Sequence, residues 1–267
     1  MNGLTDQWMQ HEQWPEGSDV FVEAFAKGLL VIAAFNQDRS LSLSDVARRT
    51  RLPRAGVRRL LHTLVSLGMA RQSGDQFMLT PRVLQLGFAF VSSLSLREVA
   101  QPVIETLSRE SNEVVAITVL DGPHVVYVAR AEVTSVLRRS LTIGSRLPAF
   151  CTSMGRVLLA GISAEERGRI LQESDRRQFA PATVTSIKKL EKEIEKVGQQ
   201  GWSIVSEELE MGASGIGAPI KDEKGNVVAA INLSTNLARH SPAELKRKFL
   251  PALLEAAEQI SHHLTLR

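Results

Sequence analysis

The sequence predicts a two-domain chain. A small, mainly helical N-terminal head closed by a β wing leads through a linker helix to a larger C-terminal α+β domain built on an antiparallel sheet. Three observations carry that prediction. Three short helical segments with apolar stripes are followed at once by two strand-like pieces around a turn. Farther along, β-branched runs come in groups separated from groups of amphipathic helices, the pattern of an α+β domain. The chain has 267 residues, of which 43% are hydrophobic and 23% charged, enough for two ordinary globular cores.

In the head, Phe21, Phe25, Leu29, Ile32 and Phe35 recur at helical spacing, which predicts a helix over 21–36. LSLSDVARRT (41–50) reads as a second helix, with Ser42 and Asp45 in capping-box spacing and Val46 and Ala47 inward. Arg51-Leu52-Pro53 breaks it, because proline pushes its predecessor out of the α region. RAGVRRLLHTLVSLG (54–68) is the third helix. Val57, Leu60, Leu61, Leu64 and Leu67 make its apolar face, Gly68 closes it, and Arg54, Arg58, Arg59 and His62 fall outside. Met69–Gln72 and Gln76–Leu79 are strand-like around Ser73-Gly74-Asp75, which completes a winged helix-turn-helix.

Charge respects the same boundary. Residues 1–20 form an acidic tail with Asp6, Glu12, Glu16 and Asp19 and no Lys or Arg. Residues 21–85 carry ten Lys and Arg against four Asp and Glu, a net +6 within a chain whose total is +3. An arginine-rich head of this kind is the electrostatic footprint of a nucleic-acid binder. A trihelical protein-interaction domain could share the charge, but the wing and the lack of acids on the third helix's outer face favour DNA. The residues expected to meet it are Ser44, Arg54, Ala55, Arg58, Arg59 and His62 from the helices and Arg71 and Gln72 from the wing.

Residues 82–96 are apolar on more than one face, as a linker helix packed on both sides requires. A meeting with its counterpart in a second subunit and simple interdomain packing both satisfy the pattern. Ser95 and Glu98 start the next helix, to about 110. EVVAITVL (113–120) and HVVYVARA (124–131) form a hairpin around Asp121-Gly122-Pro123, and VLRRSLTI (136–143) is a third strand. Helices are expected at 152–161, 163–174 and 186–200, then strands at 202–206, 214–221 and 227–235, and a final helix from Ser241-Pro242.

No catalytic constellation emerges, and an enzyme is not expected. Gly212-Ala213-Ser214-Gly215 lacks nucleophile-elbow spacing, and neither a phosphate loop nor a dinucleotide fingerprint occurs. Cys151 with His124 has no motif behind it, and Glu207, Glu208 and Glu210 form an acidic cluster whose facing geometry sequence cannot supply. The single cysteine excludes a disulfide framework and a CxxC zinc site; separately, neither a metal nor a cofactor is expected. No apolar run reaches the roughly 20 residues of a membrane span, and a soluble cytoplasmic protein is expected. A pocket, by contrast, has candidates. Cys151, Thr152, Ser153 and Met154 lie at a helix N-terminus, where free N–H groups favour an anion. Ser214, Asn232 and Ser234 interrupt apolar strands, and Arg138 and Arg139 could supply charge. Ordinary core polar residues satisfied by backbone or water would read the same way.

Four stretches, AKGLLVIAAF, LSLSDVARRTRLPRAGVRRLLHTLVSLG, LPAFCTSMGRVLLA and GWSIVSEELEMGASGIGAPI, in that order and spacing, resemble the IclR family of bacterial transcriptional regulators over essentially 21–267. CTSMGRVLLA together with TPRVLQLGFAFVSSLSL is similar to the subgroup controlling protocatechuate, β-ketoadipate and p-hydroxybenzoate use. The resemblance implies a DNA-binding domain at 21–81, a dimerising linker at 82–95 and a GAF-like effector domain at 96–267. It also implies dimers or dimers of dimers on double-stranded operator DNA near a catabolic promoter, with a small aromatic or β-keto carboxylate as effector. Carried over by alignment, effector contacts fall on Ser153, Met154, Val205, Gly215, Asn232 and Ser234, with Val136 and Arg139 at the mouth. Gly215 departs from the Cys, Ser or similar small side chain usual in the family, which enlarges the site. A ligand-binding protein-interaction module, or an enzyme acting on an aromatic or keto acid, are the alternatives.

Overall fold

The structure, a computed structural model, describes residues 21–35, 38–86, 96–132 and 141–265. The chain divides into two compact units, Met1–Phe90 and Val91–Arg267.

The first unit contains α1 (Glu23–Ala33), β1 (Leu41–Ser42), α2 (Leu43–Thr50), α3 (Arg54–Ser66), β2 (Ala70–Ser73) and β3 (Gln76–Leu79). Its core is Leu30, Val31, Ala34, Phe35, Val46, Leu52, Val57, Leu61, Leu64 and Phe77 with their neighbours. The stripe expected on α1 is shifted: Leu30, Val31, Ala34 and Phe35 are buried, while Phe25 is 67% exposed. The second helix starts two residues later than its sequence suggests. Ser42 is extended as N-cap, with its side chain accepting from Asp45 N–H and the Asp45 carboxylate accepting from Ser42 N–H. An extended cap can also pair sideways, and Leu41 and Ser42 add a third strand to the wing, opposite Phe77 and Gln76. Gly68 stands at φ +71° after α3, the left-handed position that ends a helix without Cβ strain. Ser73 pairs with Gln76, so the wing turns on Gly74-Asp75 alone. Beyond the wing come a 3-10 turn (Pro81–Val83) and helical residues to 86; the rest of the expected linker helix lies outside the described residues.

The second unit is a six-stranded antiparallel sheet ordered β6-β5-β4-β9-β8-β7. Its strands are β4 (Val114–Asp121), β5 (His124–Ala131), β6 (Arg146–Pro148), β7 (Ser203–Ser206), β8 (Ala213–Lys221) and β9 (Val227–Asn236). One face is covered by α4 (Leu96–Ser111) and α8 (Leu250–Thr265), which bury Ile104, Leu253 and Ile260 against Ile117, Ile216 and Ile231. A capping box at Ser241 and Glu244 and a π-helical stretch (Leu245–Phe249) lead into α8. The other face meets α5 (Ser153–Ala160) and, behind it, α6 (Ala164–Glu173) and α7 (Ile187–Gln200). The strand expected at 136–143 is corrected in its described part. Residues 141–144 are coil and turn, and the edge strand is Arg146–Pro148, pairing with Val126–His124 once Gly144 has turned the chain at φ +86°.

Candidate effector cavity and nucleic-acid face

A cavity of about 350 Å³ opens between the second sheet face and the N-terminus of α5. Strand register explains why there is space. Two adjacent rows cross the face, Val205-Gly215-Ser234-Val114 and Gly217-Asn232-Ala116-Arg130. Each row includes a glycine or alanine, so the sheet is low there. A Cβ on Gly217 would stand 3.1 Å from Met154 N, which shows how closely α5 lies on β8. Gly155 is more constrained still: a Cβ there would come within 2.0 Å of the Ala149 carbonyl oxygen. Thr152 caps α5 by accepting from Gly155 N–H at 3.2 Å.

All the expected effector residues among those described, Cys151, Thr152, Ser153, Met154, Val205, Gly215, Asn232 and Ser234, line this one cavity. Arg139, Arg138 and Val136 lie outside the described residues. Asn232 is 2% exposed; its amide donates to Ser234 Oγ at 2.7 Å, and its Oδ1 is buried with no hydrogen-bond partner among the described residues. Ser214 instead shares its hydroxyl with Ser206 at 2.6 Å. Burial, then the Glu208 carboxylate, pushes the Cys151 thiol up to about 12, which leaves no thiolate nucleophile at neutral pH. Glu207 accepts from Gly212 N–H at 3.0 Å and Glu208 is paired with Arg156, so these two carboxylates of the acidic cluster are held by protein groups. Sequence reasoning missed three lining or supporting groups: Tyr127, Arg130 and the Arg156–Glu208 pair. The arginine and tyrosine of HVVYVARA were visible as residue types, but their common face was not.

In the head, Ser44, Arg54, Ala55, Arg58, Arg59, His62, Arg71 and Gln72 are all exposed. Arg48 and Arg49 are occupied by Asp45 (2.6 Å) and Asp38 (2.5 Å). Arg54, Arg58 and Arg59 form no ion pair among the described residues, so α3 presents unneutralised guanidinium groups. Gln72 bonds Gly74 O at 2.9 Å within the wing, and the His62 ring sits edge-on to Phe77 of β3.

The comparisons with known proteins agree with this arrangement. Residues 24–74 match the IclR helix-turn-helix domain, and residues 88–262 match the bacterial transcriptional regulator IclR C-terminal family. The Pca regulon regulatory protein of Pseudomonas putida is 40% identical over 250 residues, covering 93% of this chain and 86% of that protein. The p-hydroxybenzoate hydroxylase transcriptional activator of Acinetobacter baylyi is 31% identical over 265 residues, 94% of this chain and 98% of its own. An IclR homolog from Microbacterium hydrocarbonoxydans, solved in complex with 4-hydroxybenzoate, superposes with a TM-score of 0.80 at 27% identity, over 90% of this chain and 98% of that one. With both halves matched in order, the chain belongs to the IclR family of bacterial transcriptional regulators.

Proposed function

We propose that this chain is a DNA-binding regulator of an aromatic-acid catabolic operon, switched by a small aromatic or β-keto carboxylate held in the C-terminal cavity. The observation that carries the reading is Asn232, whose buried carbonyl oxygen lacks a partner among the described residues in a cavity otherwise walled by Ser153, Ser234 and the start of α5. A buried polar atom without a partner is costly; a ligand hydroxyl supplies one, and turning the amide so that the Ser234 hydroxyl donates to Oδ1 presents the amide NH2 to a ligand carboxylate. The volume falls in the range of small-molecule sites. The relative solved with 4-hydroxybenzoate and the Pca regulator support an aromatic-acid pathway.

In this reading residues 21–81 bind operator DNA, 82–95 link and dimerise, and 96–267 sense the effector. Arg54, Ala55, Arg58, Arg59 and His62 approach base edges or phosphates from the helix in the major groove, Arg71 and Gln72 of the wing meet phosphate or the minor groove, and Ser44 completes the DNA-facing set. The effector touches Cys151, Thr152, Ser153, Met154, Val205, Gly215, Asn232 and Ser234, with Arg139 at the mouth. The protein works in the cytoplasm as a homodimer or a dimer of dimers and catalyses no reaction on its ligand. Calorimetric titration of the purified chain with protocatechuate, 4-hydroxybenzoate and β-ketoadipate tests this. Saturable binding that Asn232→Ala weakens supports it; heat-silent titrations with all three remove the aromatic and β-keto assignment.

A further inference from the structure

Strand β5 contains an irregularity that decides what faces the cavity. Val126 and Val128 join the core under α4 and α8, whereas Val125 and Tyr127 join the opposite core, as alternation requires. On β4, Thr118 stands opposite Tyr127, but the next residue back, Ile117, stands opposite Ala129. Val128 is therefore an extra residue, a β-bulge. It inverts the parity of the rest of the strand: Ala129 and Ala131 return to the α4 and α8 side, and Arg130 comes to the cavity side with Tyr127. In a regular strand two residues three apart would face opposite ways; bulges re-aim side chains in this manner.

Both groups have hydrogen-bonding capacity in hand. Tyr127 is 4% exposed, and its hydroxyl meets Met154 Sδ at 3.9 Å, a weak acceptor. Arg130 gives its terminal nitrogens to Leu141 O and to Glu132 at 2.7 Å, but its Nε is buried without a partner among the described residues. Across the row, Ala116 alone separates Arg130 from Asn232. The cavity thus has two polar ends with an apolar middle. The ends lie two strand spacings apart, roughly 10 Å between backbones, which a single aromatic ring with polar groups at opposite positions spans once the side chains reach inward.

We propose that Tyr127 and Arg130 form a second polar pole that selects ligands bearing an oxygen acceptor opposite their carboxylate: para-oxygenated benzoates or dicarboxylates of similar length. This rests on reading the cavity as the effector site. Burial also pushes the Tyr127 phenol up to about 12, so it meets the ligand as a neutral hydroxyl.

The test is calorimetric titration of the full chain, wild type, Tyr127→Phe and Arg130→Lys, with benzoate, 4-hydroxybenzoate and terephthalate. Thermal melts confirm that each variant is folded. The wild type is expected to prefer 4-hydroxybenzoate or terephthalate over benzoate by about tenfold, the scale of one buried hydrogen bond. That ratio falls toward one in Tyr127→Phe for the phenol, or in Arg130→Lys for the dicarboxylate. A wild-type ratio near one, or a ratio that both variants retain, overturns the second pole while leaving the effector cavity intact. Failure of the wild type to bind any of the three overturns the cavity reading itself, and this proposal with it.

Discussion

Arg156 Nη2 and Glu208 Oε2 lie 2.7 Å apart, with both side chains less than a tenth exposed. Arg156 Nε also donates to Phe150 O at 3.0 Å. Glu208 Oε2 accepts from Val184 N–H at 3.1 Å, and its carbonyl accepts from Thr183 Oγ1 at 2.6 Å. One carboxylate therefore ties α5, the loop after β7 and the segment before α7 behind the cavity wall. Removing either partner strands a buried charge at a cost of about 3–5 kcal/mol. Glu208→Gln or Arg156→Met is expected to lower the melting temperature by about 10 °C for a domain of this size. The double variant Arg156→Met with Glu208→Leu should melt above both singles, since an apolar pair carries no desolvation penalty. Calorimetric melts of the three variants decide it, and wild-type-like melting of the singles would refute the tie.

Two glycines separate packing from propensity. Gly155 has no room for a methyl group against Ala149, whereas a Cβ on Gly168 in α6 meets nothing within 4 Å. Gly155→Ala should be destabilised by about 3 kcal/mol, the upper range for overpacking, with loss of ligand binding as α5 shifts. Gly168→Ala should gain up to about 1 kcal/mol from helix propensity. Denaturant midpoints of the two variants are expected to move in opposite directions.

On the head, Arg58→Glu places an acid where α3 presents exposed guanidinium groups, and no ion pair among the described residues is lost. The expectation is unchanged melting with operator affinity lost in an electrophoretic shift. Arg58→Ala should lower the slope of log affinity against log salt by about one if the contact is to phosphate. A variant that keeps wild-type affinity at moderate salt would take α3 out of the groove.

Stability should fall at alkaline pH through the cavity wall. Cys151 is raised from 9.0 and Tyr127 from 10.0, each to about 12, chiefly by burial. The unfolded chain releases these protons at lower pH than the folded one. Their contribution is therefore complete below about pH 9 and is lost as pH rises toward 12. Melting temperatures measured across that window should decline, and Cys151→Ala should flatten the decline by the share of one proton. An equal slope in the variant would mean that the thiol ionises in the folded protein as it does in the unfolded chain.

Much of the architecture is legible in the sequence because it depends on local rules. Capping pairs Ser42–Asp45 and Ser241–Glu244 form as spaced, and Ser163 accepts from Glu166 N–H as expected. β-Branched runs become β4, β5 and β9 within a residue or two of their expected ends. The exposed arginines of α3 result from the apolar stripe opposite them. Periodicity misassigns Leu41–Ser42 because an N-cap residue is extended, and extended backbone pairs with whatever edge lies beside it. It also turns Phe25 inward, because helical spacing finds a stripe without saying which of two overlapping stripes meets the core.

The order of elements, the basic head and the polar residues on β9 that a cavity would need are local properties of the chain, since each arises from periodicity, capping or charge along it. The existence of a cavity, and what completes it, depend on contacts between residues far apart in the chain. Gly215 and Ala116 leave space, and Gly217 admits the backbone of α5, only because strand register sets them in adjacent rows across the sheet. Arg156 finds Glu208 fifty-two residues away. Tyr127 and Arg130 share a wall because one unpaired residue at Val128 reverses the alternation of β5, and the placing of such a bulge depends on the partner strand as well as on the strand that carries it.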